Sequence, residues 1–142
     1  MKTNVEKEVI INASIDKVWK ALTNKEEMKH WYFDIPDFSL EKDAIFNFFE
    51  PGGQNKFWHR CQVEEVIPNQ IFKHTWEHPD FSKAITHLTW KLSEKDGQTI
   101  VNLNHDNLDG LAEAGDDFKV ENYNAGWTEI LKNLKKYLEN ME

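Results

Sequence analysis

The sequence predicts an α+β domain in which an antiparallel sheet wraps around a long C-terminal helix. Three observations predict it. Apolar residues recur with a period of two from about residue 44 to about residue 106, interrupted by turn-forming residues. The final segment changes period: Val120, Tyr123, Trp127, Ile130, Leu131, Leu134, Tyr137, Leu138 and Met141 are three and four residues apart and make one broad apolar stripe. Strands joined by short turns run antiparallel, and one face of such a sheet needs a cover. The C-terminal helix is the candidate cover.

The elements follow in order. Residues 4–12 read as a strand, with Val5, Val9, Ile10 and Ile11 interleaved with charge. Ser14 suits a helix N-cap. Ile15, Val18, Trp19 and Leu22 after it have the spacing of a short amphipathic helix. Asn24 with Glu27 resembles a capping box and opens a second short helix. Met28, Trp31 and Tyr32 form its apolar face, and Pro36 ends helical possibilities.

The period of two then begins. Ala44, Phe46 and Phe48 alternate with Ile45, Asn47 and Phe49, and Pro51-Gly52-Gly53 makes a turn. A long strand is expected over 57–67, a tight connection at Pro68-Asn69-Gln70, and strands over 71–77 and 85–93. Asp96-Gly97 is a strong hairpin signal, because glycine accepts the positive φ such turns require. A strand over 99–105 completes that hairpin. No internal repeat, linker or low-complexity stretch interrupts the pattern, so residues 1–142 are expected to form one domain.

Bulk composition narrows the function. A chain of 142 residues can bury roughly 70% of its unfolded surface without metal or disulfide support. Lys and Arg number 17 and Asp and Glu 25, a formal charge of −8, which disfavours nucleic acid. Lys132, Lys135 and Lys136 cluster on the last helix, on what spacing makes its solvated outer face. The single cysteine, Cys61, cannot form an intramolecular disulfide, which fits a reducing compartment. No charged-then-apolar leader and no membrane-length apolar run stands out, so a cytoplasmic protein without membrane insertion is expected.

Several segments resemble a known family. A strand precedes Ala13-Ser14-Ile15-Asp16-Lys17-Val18-Trp19-Lys20-Ala21-Leu22-Thr23, and Glu26-Glu27-Met28-Lys29-His30-Trp31 comes next. Val66-Ile67-Pro68-Asn69-Gln70-Ile71-Phe72-Lys73-His74-Thr75-Trp76 stands in the sheet region, and Gly126-Trp127 precedes Leu131, Leu134 and Leu138. Their order and spacing resemble the activator-of-Hsp90-ATPase C-terminal-domain-like branch of the START/Bet v 1 superfamily, over essentially the whole chain. The resemblance implies a β-α-α-β6-α helix-grip fold with a seven-stranded sheet. It also implies a hydrophobic cavity between sheet and C-terminal helix. Members of that superfamily include lipid carriers, polyketide cyclases, stress-response proteins and an Hsp90 co-chaperone domain. The expected partner is therefore a small hydrophobic molecule, with an Hsp90-type chaperone as the alternative. Monomer and homodimer both remain open.

Strand alternation sorts the candidate residues by face. Thr86, Leu88, Trp90 and Leu92 share one face, as do Val101, Leu103 and His105, and as do Phe72, His74 and Trp76. Phe57, His59, Cys61 and Val63 share another, although a bulge would flip part of it. Phe46 and Phe48, with Glu50, complete the inner surface. The candidate ligand-lining residues are Trp31, Phe46, Phe48, Cys61, His74, Trp76, Leu88, Trp90, Leu103, His105, Tyr123 and Trp127. An apolar pocket with a few convergent polar groups is the usual form of a small-molecule site. His74 and His105 are also acid–base candidates for a cyclase-like or hydrolase-like reaction. Each imidazole equally suits a purely structural hydrogen-bonded role.

No metal or cofactor is expected, since Cys61 and the histidines lack close ligand spacing. Cys61 has no nucleophile-elbow context and reads as a small apolar filler. Asp106, Asp109, Glu113, Asp116 and Asp117, with Gly110 and Gly115, mark a solvated connection before the last helix. That connection could act as a lid over a cavity mouth, and Asp116 or Asp117 would suit the helix's positive N-terminal end.

Overall fold

The computed structural model describes residues 4–49, 58–112, 115 and 120–140. Ten elements run in the order β1 (Val5–Ile11), α1 (Ile15–Thr23), α2 (Lys25–Trp31), β2 (Ile45–Phe48), β3 (His59–Ile67), β4 (Ile71–Trp76), β5 (Thr86–Lys95), β6 (Gln98–Asp106), α3 (Leu108–Ala112) and α4 (Val120–Glu139) among the described residues. The strands form one antiparallel sheet ordered β1-β6-β5-β4-β3-β2, so β1 and β2 are its edges. The sheet has six strands among the described residues, where the resemblance implied seven. The Pro51-Gly52-Gly53 turn, Phe57 and Glu50 lie outside the described residues.

Local chemistry explains the first helices. Ser14 caps α1 in extended geometry, its Oγ accepting from the Lys17 N–H at 3.4 Å. Asn24 serves two helices at once. Its N–H donates to the Lys20 carbonyl and closes α1. Its Oδ1 accepts from the Glu26 and Glu27 amides at 3.0 and 3.2 Å and opens α2. The expected capping box is half made, because the Glu27 carboxylate turns to the Tyr137 hydroxyl at 3.2 Å and to Lys20 at 3.6 Å. At the Asp96-Gly97 hairpin both turn residues have positive φ, 52° and 80°, as the primed turn demands.

The register of the sheet sets the inner face. Across it, His74 pairs with Val63 on one side and Leu88 on the other, and Leu88 pairs with His105. One step along, Phe72, Trp90 and Leu103 make the next row. A bulge interrupts β3 between Val63 and Glu65. Before it, His59, Cys61 and Val63 are buried; after it, the parity shifts and Val66 turns inward.

Helix α4 covers this face through Trp127, Leu131, Leu134 and Leu138, all buried. Burying each stabilises the docking by roughly 1.5–3 kcal/mol. Its register against β1 is fixed by polar ties. Lys135 donates to the Ile10 carbonyl at 2.7 Å, and Glu139 accepts from the Asn12 amide at 2.9 Å. Lys132 and Lys136 are exposed as expected, whereas Lys135 is half-buried at this tie. Met141 lies outside the described residues.

The connection before α4 differs from the expected solvated loop in its first part. Leu108 and Leu111 of α3 are fully buried. Gly110 lies so close to the β4–β5 connection that a Cβ there would sit 3.0 Å from the Ala84 Cβ. Two apolar anchors and a close backbone approach were hidden in a segment rich in acidic residues and glycine. Glu113, Asp116, Asp117 and the side chain of Asp109 lie outside the described residues.

Candidate functional site

Three layers converge on the interior. The sheet contributes Phe46 and Phe48 from β2, Cys61 from β3, His74 and Trp76 from β4, Leu88 and Trp90 from β5, and Leu103 and His105 from β6. Trp31 enters from the end of α2 and Trp127 from α4. All of these are buried. Tyr123, early in α4, is half-buried and sets its ring edge-on to His105 at 5.3 Å.

Aromatic contacts divide the interior into two neighbouring groups. Trp76 is the hub of the first, with ring centroids 5.6 Å from Phe48, 5.0 Å from His59, 5.4 Å from His105 and 5.2 Å from Trp127. Trp90 joins it edge-on to Trp31 at 5.9 Å and to Trp127 at 6.2 Å. In the second group, Phe46 and Phe72 flank His74 at 5.2 and 5.0 Å, with Phe38 against both phenylalanines. The stacked Phe46–Phe48 pair, 6.4 Å apart, links the groups. Edge-to-face contact is the favoured geometry for such rings and adds about 0.5–1.5 kcal/mol per pair beyond burial.

The polar groups of the first cluster are chained to one another. The Trp127 indole, which can only donate, gives its N–H to His105 Nδ1 at 3.0 Å. The proton of neutral His105 is therefore on Nε2, which donates to Thr86 Oγ1 at 2.7 Å. The Thr86 hydroxyl passes its own proton to the Trp76 carbonyl at 2.7 Å. Similarly, the Trp76 indole donates to His78 Nε2 at 3.2 Å, so His78 Nδ1 is the donor to the Trp58 carbonyl. His59 Nδ1 donates to the Phe48 carbonyl, and His74 Nδ1 to the Thr75 carbonyl at 2.7 Å. The Trp31 indole is spent on the Ala21 carbonyl at 3.0 Å.

Burial holds these imidazoles neutral. Desolvation lowers His74 to about 4, against weaker opposing pulls from its hydrogen bond to Thr75 and from Glu64. Desolvation likewise lowers His78 to about 4. His105 is pushed well below the ordinary range, first by burial and then by the other histidines. Protonating it would also set two N–H groups against each other at Trp127. Both His105 nitrogens are thus engaged within the protein. The Cys61 thiol is driven up by burial, then by Glu77, which keeps it a thiol.

One hydroxyl breaks this pattern. Tyr32 Oη is buried and has no hydrogen-bond partner, the only side-chain polar atom so placed among the described residues. Tyr32 follows α2 as its C-cap, with φ −129° and ψ −131°, and its N–H closes the helix on the Met28 carbonyl. That departure from helical geometry turns the ring off the helix and into the first aromatic group. Its centroid lies 4.9 Å from Trp31, 4.7 Å from Phe33, 6.3 Å from Trp90 and 6.4 Å from Trp127. Burial, and then Cys61, raise its pKa well above the ordinary phenol value, so the hydroxyl keeps its proton.

Sequence reasoning placed Tyr32 on the apolar face of α2 but not in the site, and it missed Phe33 and His78. The signals were present. Trp31-Tyr32-Phe33 is an aromatic run at a helix end, and His78 continues the alternation of Phe72, His74 and Trp76 past the end of β4. Among the described residues no group of three or more His, Cys, Asp or Glu side chains could hold a metal ion. A surface groove of about 490 Å³ between α2 and α4, lined by His30, Asn133, Lys136, Tyr137 and Asn140, is separate from this interior. No helix among the described residues is long and apolar enough to cross a membrane.

An antiparallel sheet gripping a C-terminal helix over an aromatic interior defines a helix-grip protein. The family model described as Activator of Hsp90 ATPase homolog 1-like protein matches residues 12–139, and the chain belongs to this family. Among solved structures, the Aha1 dimer from Colwellia psychrerythraea is similar at 24% identity and a TM-score of 0.76, covering 97% of each chain. A Bacillus halodurans protein is 26% identical with a TM-score of 0.75, covering 96% of this chain and 97% of that one. A protein of the dynemicin biosynthetic locus is similar at 19% identity and a TM-score of 0.78. The comparison covers 96% of this chain but 47% of the dynemicin-locus protein, so this chain spans about half of that protein's length. No curated protein matches the sequence.

Proposed function

We propose that the protein binds a small hydrophobic or aromatic molecule between its sheet and α4. The observation that carries this reading is the Tyr32 hydroxyl, the one buried side-chain nitrogen or oxygen without a partner among the described residues, set against an aromatic interior. An unpaired buried hydroxyl costs about 1–3 kcal/mol, and a bound molecule able to pair with it would relieve that cost. The rings around it belong to different elements, so small shifts of α2 or α4 can open space between them. A contact role with a chaperone has weaker support. The large exposed apolar side chains include Ile10 on one edge strand, Ile45 on the opposite edge, and Phe81 and Ile85 between β4 and β5. Among the described residues these side chains, with Phe49 and Ile67, are spread from one edge of the sheet to the other and give no sign of the contiguous patch such a partner needs.

The test uses intrinsic fluorescence and thermal melting against a panel of uncharged aromatic compounds. Binders should quench tryptophan emission and raise Tm, and Trp90→Ala should weaken the response. A panel with no binder, and no Tm rise at near-saturating concentrations, overturns the reading.

A further inference from the structure

Resting on that reading, we infer that the site takes an electrically neutral aromatic molecule carrying one hydrogen-bond-accepting oxygen, and that Tyr32 is the residue that selects for it. Two features of the interior carry this. The first is what is available to bond. The Trp31, Trp76 and Trp127 indoles, both ring nitrogens of His78 and His105, and the Thr86 hydroxyl are all engaged within the protein. The Tyr32 hydroxyl has a proton to give and no protein acceptor among the described residues. A carbonyl, ether or phenol oxygen on the guest would take it.

The second feature is charge. The buried polar residues among those described are histidines and threonines: His59, His74, Thr75, His78, Thr86, Thr99 and His105. No lysine or arginine is among them, and Arg60 is held by Glu77 at 2.8 Å. The indole facing His105 Nδ1 opposes a proton there, and His74 and His78 sit among rings. A carboxylate guest would therefore meet no buried counter-charge among the described residues, which is costly in an apolar interior. The chemistry excludes fatty-acid-like anions and favours ketones or phenols on a fused-ring or biaryl body.

Calorimetric titration with three probes of one shape tests this: 2-acetylnaphthalene, 2-ethylnaphthalene and 2-naphthoate. The ketone differs from the hydrocarbon by a carbonyl in place of a methylene. The wild-type protein is expected to bind both, and 2-naphthoate at least about tenfold more weakly than the ketone. In Tyr32→Phe the affinity for the ketone relative to the hydrocarbon should fall about tenfold, with hydrocarbon affinity unchanged. Removing the partnerless hydroxyl should also raise the Tm of the ligand-free protein. A relative affinity that survives Tyr32→Phe overturns the role of Tyr32 while leaving the ligand site standing. So does a Tm that falls in that variant, since it would reveal a structural partner for the hydroxyl. Naphthoate binding as tight as the ketone overturns the neutral-guest inference. Binding of none of the probes, together with a blank aromatic panel, removes the ligand site and this inference with it.

Discussion

His105 illustrates how a single donor-only neighbour sets the chemistry of a buried residue. The Trp127 indole dictates that Nδ1 accepts, so Nε2 carries the proton and reaches Thr86. An imidazole with both nitrogens committed is poorly placed to shuttle protons to a guest. The same bond predicts a mutational cost. Trp127→Phe removes the donor, orphans His105 Nδ1 and leaves a gap against Trp76 and Trp90. It should destabilise the fold by about 2–4 kcal/mol in urea titrations. A loss below about 0.5 kcal/mol, the range of ordinary surface changes, would show that the bond contributes nothing.

At the scale of elements, the short helices are held by packing of their apolar faces and, at their ends, by capping. With only nine residues in α1 and seven in α2, neither helix would persist alone. Asn24 joins them by giving its amide to one and its side-chain oxygen to the other. Asn24→Ala should cost about 1 kcal/mol, because it strips the acceptor from two α2 amides. Since α2 ends by placing Trp31 in the interior and the half-buried Tyr32 against it, the variant should also alter tryptophan emission of the folded state. Unchanged stability and emission would mean that packing alone holds α2. The element boundaries near this site were legible because Ser14, Asn24 and Pro36 are local signals. The direction of Tyr32 was not, because it depends on a C-cap geometry that helical periodicity does not encode.

For the molecule as a whole, several buried neutral histidines make acid the natural stress. Unfolded histidines titrate near 6.5, while His74 and His78 are lowered to about 4 and His105 is held well below its ordinary range. Above pH 6.5 both states leave these rings neutral, and their contribution to stability is complete. As pH falls from 6.5 towards 4, the unfolded chain takes up protons that the folded protein refuses. Stability should drop by up to about 1.4 kcal/mol per pH unit for each such histidine. Thermal melts should therefore be flat from pH 7 to 8 and decline from about pH 6, before most carboxylates titrate. A constant Tm from pH 7 to 5 would contradict the neutral, buried assignment.

Periodicity and caps alone specified the alternating strands, their inward faces, the hairpin at Asp96-Gly97 and the stripe that docks α4. These features depend on residues within a few positions of each other, so a linear reading reaches them. Folding in three dimensions settled the rest: the β3 bulge that reverses parity after Val63, the burial of Leu108 and Leu111 in an acidic stretch, and the pairing of Trp127 with His105 and of His105 with Thr86. Above all it left Tyr32 Oη without a partner among the described residues. Whether a polar atom is satisfied depends on which distant groups arrive beside it, and no local pattern carries that information.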